Sequence, residues 1–281
     1  MRYKKAVGMI YIATVHWETD KWIDTQLKYF KRNINQPYRV FAFLSGDACK
    51  HKDKFYFACC EPITEHAIKL NLLARFISLQ ANDDDVLIFI DGDAFPVKPI
   101  DSFVTLTLKQ YPLAAIRRTE NIGDLQPHPS FCFTTVGFWK SIEGDWKEGY
   151  EWETTAGIHR TDVGGNLFKI LIDLKIDWLP LERTSQLTNH GLMFGIYADL
   201  VYHHGAGFRE PLSMYDRTKS LVGIVKPRFI AKLLDLLLCN VSVKNRFRIH
   251  RLLGIGDRIN YQNQRLSQSI HEKIAMDEFF V

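Results

Sequence analysis

Five consecutive apolar residues, Val86 to Ile90 in "VLIFIDGDAFPV", constrain this chain more than any other feature. A β-branched, aromatic run with no polar break describes a strand covered on both faces, and such strands belong to sheets with helices packed on each side. The segments before it agree. Residues 6–15 read as a first strand. Residues 20–32 place Trp22, Ile23, Leu27 and Phe30 on one side of a helix. "YRVFAFLSG" is a second strand ending at a turn glycine, and "KFYFACC" a short third one. Residues 63–80 align Ile63, Ala67, Leu70, Ala74 and Ile77 on one helical face. This β-α-β-β-α-β order predicts an α/β fold with a mostly parallel sheet.

Further along, "PLAAIRR" predicts another strand, "HPSFCFTTVGFWKSI" a strand pair, and "GIHRTDVGGNLFKILIDL" a polar, glycine-bearing segment that becomes a helix near Gly165, with Thr161 and Asp162 suited to its N-cap region. "IDWLPL" and "ADLVYHHGAGFR" complete the regular elements. After Pro211 the composition changes. Phe229, Ile230, Leu233, Leu234 and Leu237 follow a helical pattern, and Lys244, Arg246, Arg248 and Arg251 follow with no acid among them. The expected organisation is one α/β domain over residues 1–215 and a C-terminal helical extension over 216–281.

Composition narrows the function classes. A formal charge of +4 over 281 residues is too mild to argue for a nucleic-acid partner. The five cysteines are odd in number and form no C-x-x-C pair, so neither a disulfide framework nor a zinc knuckle is indicated, and a reducing, cytoplasmic setting is expected. The N-terminal basic-then-apolar stretch imitates a signal peptide but lacks an A-x-A-like cleavage site, and a first strand is the preferred reading. No apolar stretch approaches the roughly 18–20 residues that span a bilayer.

In open α/β sheets, ligands bind beyond the carboxyl ends of the strands. Asp91 and Asp93 stand at that end of their strand, and Thr14 to Trp17 at the end of the first, so both belong to one rim. Gly92 lets the two carboxylates bend toward one cation and lets a ligand approach the backbone. Oxygen-only ligation of this kind suits Mg²⁺ or Mn²⁺ with phosphate oxygens completing the shell. "YHHGAGFR" supplies the remaining parts. Either His203 or His204 could complete the coordination, since alternation along a strand points them oppositely. Gly205 and Gly207 would turn main-chain N–H groups toward phosphate, with Arg209 or Lys219 adding charge. An Asp-Gly turn and a hydrogen-bonded core histidine are the plain alternatives.

Together these segments resemble the GT-A-fold glycosyltransferases, of bacterial-polysaccharide type, over roughly residues 6–215. "VLIFIDGDAFPV" is similar to their aspartate motif, the preceding helix with His66, Lys69 and Asn71 to the helix before that motif, and "YHHGAGFR" to their late histidine-glycine segment. The resemblance implies a Rossmann-like mixed sheet, a UDP-sugar donor, Mn²⁺ or Mg²⁺, and hexose transfer to a glycan or lipid-linked acceptor in surface polysaccharide synthesis. It implies Asp93 as a direct metal ligand and Asp91 on the ribose or the metal. Thr14 would line the nucleotide pocket, and Lys69, with the glycine turn and the metal, would stabilise the departing diphosphate.

An inverting enzyme needs a base on the acceptor hydroxyl; Asp162 in "HRTDVGG" is the candidate, with Glu120 and Asp124 behind it. His128, Phe131, Thr134, Trp139 and Trp152 could form an acceptor platform or a buried aromatic cluster. The basic C-terminal helices suit either a solvated face or peripheral contact with the inner face of the membrane. The rival readings are a haloacid-dehalogenase-like phosphatase, although Phe95 stands where that motif has Thr or Val, and a non-catalytic nucleotide- or carbohydrate-binding module.

Overall fold

The computed structural model describes residues 8–121, 123–153, 159–185, 193–205, 227–242, 245, 249 and 252–279, with the side chains of 227, 228, 231 and 255–262 left aside. The chain divides into two compact units, Met1–Gly205 and Ala206–Val281.

The first unit is built on a seven-stranded sheet of order β10-β6-β7-β4-β1-β2-β3. Its strands are β1 (Ile10–His16), β2 (Tyr38–Leu44), β3 (Phe57–Cys59), β4 (Val86–Asp91), β6 (Leu113–Arg117), β7 (Pro127–Thr135) and β10 (Leu179–Leu181). β1 pairs in parallel with β2 and β4, β2 with β3, and β6 with β10. β7 runs antiparallel between β4 and β6. The α/β, mostly parallel expectation therefore holds, with one reversed strand. Every residue of β1 is buried, which is why its sequence shows no alternation.

Helix α1 (Ile23–Asn33) packs on β5 (Ala94–Pro96), and α2 (His66–Ser78) on β1 and β2. One core cluster gathers Tyr11, Ala13 and Val15 of β1 with Leu70, Leu73 and Ile77 of α2. It continues through Trp139 of α4 (Val136–Ser141) to Leu167 of α5 (Gly165–Asp173). Helix α3 (Asp101–Thr107) follows β5.

One element departs from expectation. "HPSFCFTTVGFWKSI" is a single strand, β7, followed by α4, rather than a strand pair. Thr135 makes the switch: its side chain accepts from Phe138 N at 3.2 Å and caps the helix.

A second, three-stranded sheet joins β11 (Gly195–Tyr197), β12 (Val201–His203) and β5. β8 (Trp152–Glu153) and β9 (His159–Arg160) form a small ribbon. The second unit contains α6 (Pro227–Leu237) and α7 (Ile255–Ala275), packed on each other. No helix among the described residues is long and apolar enough to cross a membrane. The basic run Lys244, Arg246, Arg248 and Arg251 lies outside the described residues.

Candidate metal and nucleotide site

The strand order around β1 defines a topological switch point. β2 follows β1 on one side and β4 lies on the other, so a crevice opens beyond the carboxyl ends of β1 and β4. β4 ends there at Asp91, and the chain steps through Gly92 and Asp93 into β5, which leaves the main sheet for the smaller one. The Asp-Gly-Asp stretch is thus the bend between two sheets.

That bend is pinned from α1. Gln26 is fully buried, and its Nε2 donates to Asp91 O at 2.7 Å and Ala94 O at 2.8 Å. Its Oε1 accepts from the Thr14 hydroxyl at 3.3 Å and lies 3.2 Å from His16 Nε2. Gln26 is a positioning residue with no sequence signal, because nothing distinguishes one buried glutamine on an amphipathic helix. Gly92 is required by crowding: a Cβ there would lie 2.5 Å from Val15 O and 2.7 Å from His16 Nδ1. The close approach at Gly92 is therefore to β1 rather than to a ligand. Thr14 is likewise buried and bonded to Gln26, so its hydroxyl does not line the crevice.

β12 brings the third group. Its antiparallel pairing sets His203 opposite Ala94, and His204 N donates to Asp93 O at 3.0 Å. His203 Nε2 lies 3.5 Å from Asp91 Oδ2 and 3.4 Å from Asp93 Oδ1. One ligand atom from each of Asp91, Asp93 and His203 falls within a 4.8 Å cluster. His66, on the first turn of α2, sets Nε2 3.2 Å from Asp91 Oδ1. The approach is too oblique for a hydrogen bond, and that buried oxygen has no bonded donor.

The two histidines separate here. His204 is fully buried, 2.8 Å from the Tyr202 hydroxyl through Nδ1, with its ring 4.5 Å from that of Trp22. It stands outside the cluster and serves the core of the small sheet. Gly205 adopts φ +61, a turn that a Cβ would strain, and ends β12. Gly207, Arg209 and Lys219 lie outside the described residues.

Charge in the cluster is self-compensating. Burial pushes the Asp91 carboxyl up, but the His66 and His203 imidazoles outweigh it and hold the group well below the carboxylate range. Burial pushes His203 down, yet Asp93 and Asp91 prevail and raise it above the ordinary imidazole value. Two carboxylates, one of them with an oxygen that has no bonded donor, and an imidazole are a donor set that fits a hard divalent cation.

Lys69 lies one turn beyond His66 on α2. It is buried at 1% exposure, with Nζ 3.6 Å from the centroid of the Trp17 ring. Burial lowers its pKa to about 8. Asn71 is structural: its Oδ1 accepts from Trp146 N at 3.0 Å. Beside Trp17 opens a cavity of about 530 Å³, lined by Trp17, Glu18, Gly46, Asp47, Pro62 and Ile63 among others. That volume lies within the roughly 300–1,000 Å³ of small-molecule sites.

Asp162 is not the N-cap of α5; Gly164 is. The Asp162 carboxylate accepts from Val163 N at 2.8 Å and from Arg118 Nη2 at 3.1 Å, and its side chain is 41% exposed. Glu120 accepts from the Tyr197 hydroxyl at 2.6 Å. Burial raises Asp124 to about 6. Phe131, Thr134, Trp139, Trp152 and His128 are all buried, which favours a cluster over an acceptor platform.

No protein-family model matches the chain, and no curated protein matches it. Solved structures do. The apo form of the glycosyltransferase GlyE from Streptococcus pneumoniae TIGR4 is 14% identical over 48% of this chain and 36% of its own, at TM-score 0.36. A second GlyE structure gives 13% identity, the same coverages and TM-score 0.37. TarS from S. aureus gives 11% identity over 50% of this chain and 30% of its own, at TM-score 0.35. The matched part spans about a third of the length of those proteins. Likeness at this level decides nothing about activity, which has to be read from the site.

Proposed function

We propose that the chain is a metal-dependent glycosyltransferase that moves a hexose from a UDP-sugar to a hydroxyl of a glycan or lipid-linked acceptor in surface polysaccharide synthesis. The observation that carries this reading is the Asp91–Asp93–His203 cluster at the switch-point crevice; a cavity of nucleotide size opens at Trp17, whose ring packs on Lys69 of the helix that carries His66.

In this reading Asp91, Asp93 and His203 hold Mn²⁺ or Mg²⁺, which neutralises charge on a diphosphate when bound. The chain's own residues do the rest. Trp17 offers an aromatic surface to the base. Lys69 supplies a fixed cation for the leaving diphosphate from a desolvated position, where its charge acts at low effective dielectric. Gln26 keeps the Asp91–Asp93 bend from relaxing. Asp162, half-buried and held by Arg118 and Val163 N, is the candidate base on the acceptor hydroxyl if transfer inverts. Gly205, just after β12, is the proposed start of the diphosphate contact; the sequence reading extends it to Gly207 and Arg209, which lie outside the described residues. The proposed setting is cytoplasmic, at the inner membrane face, with no nucleic-acid partner.

The test is a thermal-shift scan of nucleotide sugars with and without Mn²⁺, followed by transfer assays. A specific UDP-sugar is expected to stabilise the wild type by mass action only when Mn²⁺ is present. Asp93→Ala is expected to keep the far-UV spectrum and melting cooperativity but lose this shift, and to cut transfer by about 10³-fold. Full activity in that variant, or in excess chelator, would overturn the metal role. Stabilisation by simple phosphate esters but not by UDP-sugars would favour a phosphatase.

A further inference from the structure

Beside the cluster just described lies a second concentration of buried polar groups with unmet hydrogen-bonding capacity. Arg118 Nε, Asp124 Oδ2 and both polar side-chain atoms of Gln126 are buried without a hydrogen-bond partner. Asp124 and Gln126 are 0% and 1% exposed. Leaving a buried amide wholly unpaired is costly, and its coincidence with two further partnerless polar atoms calls for a reason.

Their placement supplies one. In the antiparallel β6–β7 ladder Arg117 pairs with Pro127, the last pair, so Arg118 and Gln126 follow just beyond the same end of the ladder. In the β4–β7 ladder Ile90 pairs with Phe131, so Ser130 falls beside Asp91. The entry of β7 thus runs along the rim from Arg118 toward the Asp91–Asp93–His203 cluster. His128 stands between, close enough to feel the charges of Arg118 at one end and Asp91 and His203 at the other. Arg118, itself buried, bridges from Asp124 Oδ2 at 3.9 Å to the half-buried Asp162 carboxylate at 3.1 Å, which links the group to the edge of the crevice.

We propose that Arg118, Asp124 and Gln126 form the subsite that reads the hydroxyls of a neutral hexose. The assignment rests on the nucleotide-sugar reading above and names the part of the donor it contacts. A guanidinium N–H, an amide offering both donor and acceptor, and a carboxylate oxygen match the mixed donor and acceptor character of a polyhydroxylated ring. Arg118 is already flanked by Asp124 and Asp162, so the group carries no spare positive charge for a uronic acid carboxylate. A site of unpaired polar groups also rejects ligands that leave them unpaired, which makes it a source of selectivity.

Titrations of the full chain with Mn²⁺ and UDP, UDP-glucose, UDP-galactose, their 2-acetamido counterparts and UDP-glucuronate test this. In Gln126→Met, which keeps the bulk and removes both polar atoms, UDP affinity is expected to stay within about twofold. Affinity for the best neutral UDP-hexose should fall about 10-fold. The melting temperature of the free protein should hold or rise by about 2–6 °C, since an unpaired buried amide is gone. A purely structural glutamine would lower it. Asp124→Asn is expected to weaken the same UDP-hexose and spare UDP. Wild-type affinity for UDP-glucuronate should be at least about 10-fold below that for the best neutral donor. Equal losses for UDP and UDP-hexose, no loss for either, or glucuronate binding as tightly as the neutral donors would overturn the subsite. A wild type that binds no UDP at all would overturn the donor reading and this assignment with it.

Discussion

His203 and His204 are adjacent in sequence and separate in role, because a strand turns consecutive side chains to opposite faces. His203 faces the two carboxylates, while His204 fills the core against Trp22 and Tyr202. His203→Ala is therefore expected to lower Mn²⁺ affinity at least tenfold with little change in melting temperature. His204→Ala should leave Mn²⁺ binding unchanged and cost about 3 kcal/mol of stability, as truncation of a packed aromatic does; paired calorimetric titrations and denaturant curves separate the two. Lys69 gives a pH prediction. Burial disfavours its ammonium, so the group is charged below about 8 in the folded state and below 10.5 in the unfolded chain. Between those values the unfolded state binds more protons, and stability rises with pH. Transfer should fall over the same range if the charge serves the leaving group. In Lys69→Arg the alkaline limb of kcat is expected to move up by at least one pH unit, since a guanidinium stays charged there.

Among elements, the junction of β4 and β5 decides most. A buried apolar strand was legible in "VLIFI", and so was its abrupt end at two carboxylates. The three-residue strand β5 was not, since "AFP" carries no pattern of its own and forms only because β12 pairs with it. Gly92 shows how tight the junction is. Gly92→Ala pushes a methyl group into Val15 O and His16, and is expected to cost about 1–3 kcal/mol and to weaken Mn²⁺ binding by shifting the bend. Denaturant unfolding with and without Mn²⁺ measures both effects. The expectation of a strand pair at β7 fails for a related reason. Periodicity does not mark where an aromatic-rich strand becomes a helix, whereas the Thr135 cap does so through a hydrogen bond.

For the whole molecule, the exposed apolar residues of α6 bear on where the protein works. Phe229, Leu233, Leu236 and Leu237 are exposed on a helix that also carries Lys232. Together with the basic sequence of residues 244–251, this supports the proposed contact with an anionic membrane surface. The full chain is expected to sediment with vesicles containing a third phosphatidylglycerol and not with pure phosphatidylcholine, and to be released as salt rises. Binding that ignores lipid charge would count against the proposal. Phe229→Ser with Leu233→Ser should weaken it without altering Mn²⁺ affinity.

The sequence by itself determined the α/β class, the buried strand β4 and the carboxylates at its end, because those follow from local periodicity and from side-chain chemistry. Only the tertiary structure decided which histidine joins them, since that depends on the register of β12 against β5, more than a hundred residues away in the chain. It also revealed Gln26 beneath the bend, and Arg118 Nε, Asp124 Oδ2 and the Gln126 amide buried without hydrogen-bond partners. Burial and hydrogen-bond partnership are properties of the packed chain, and no local pattern encodes them.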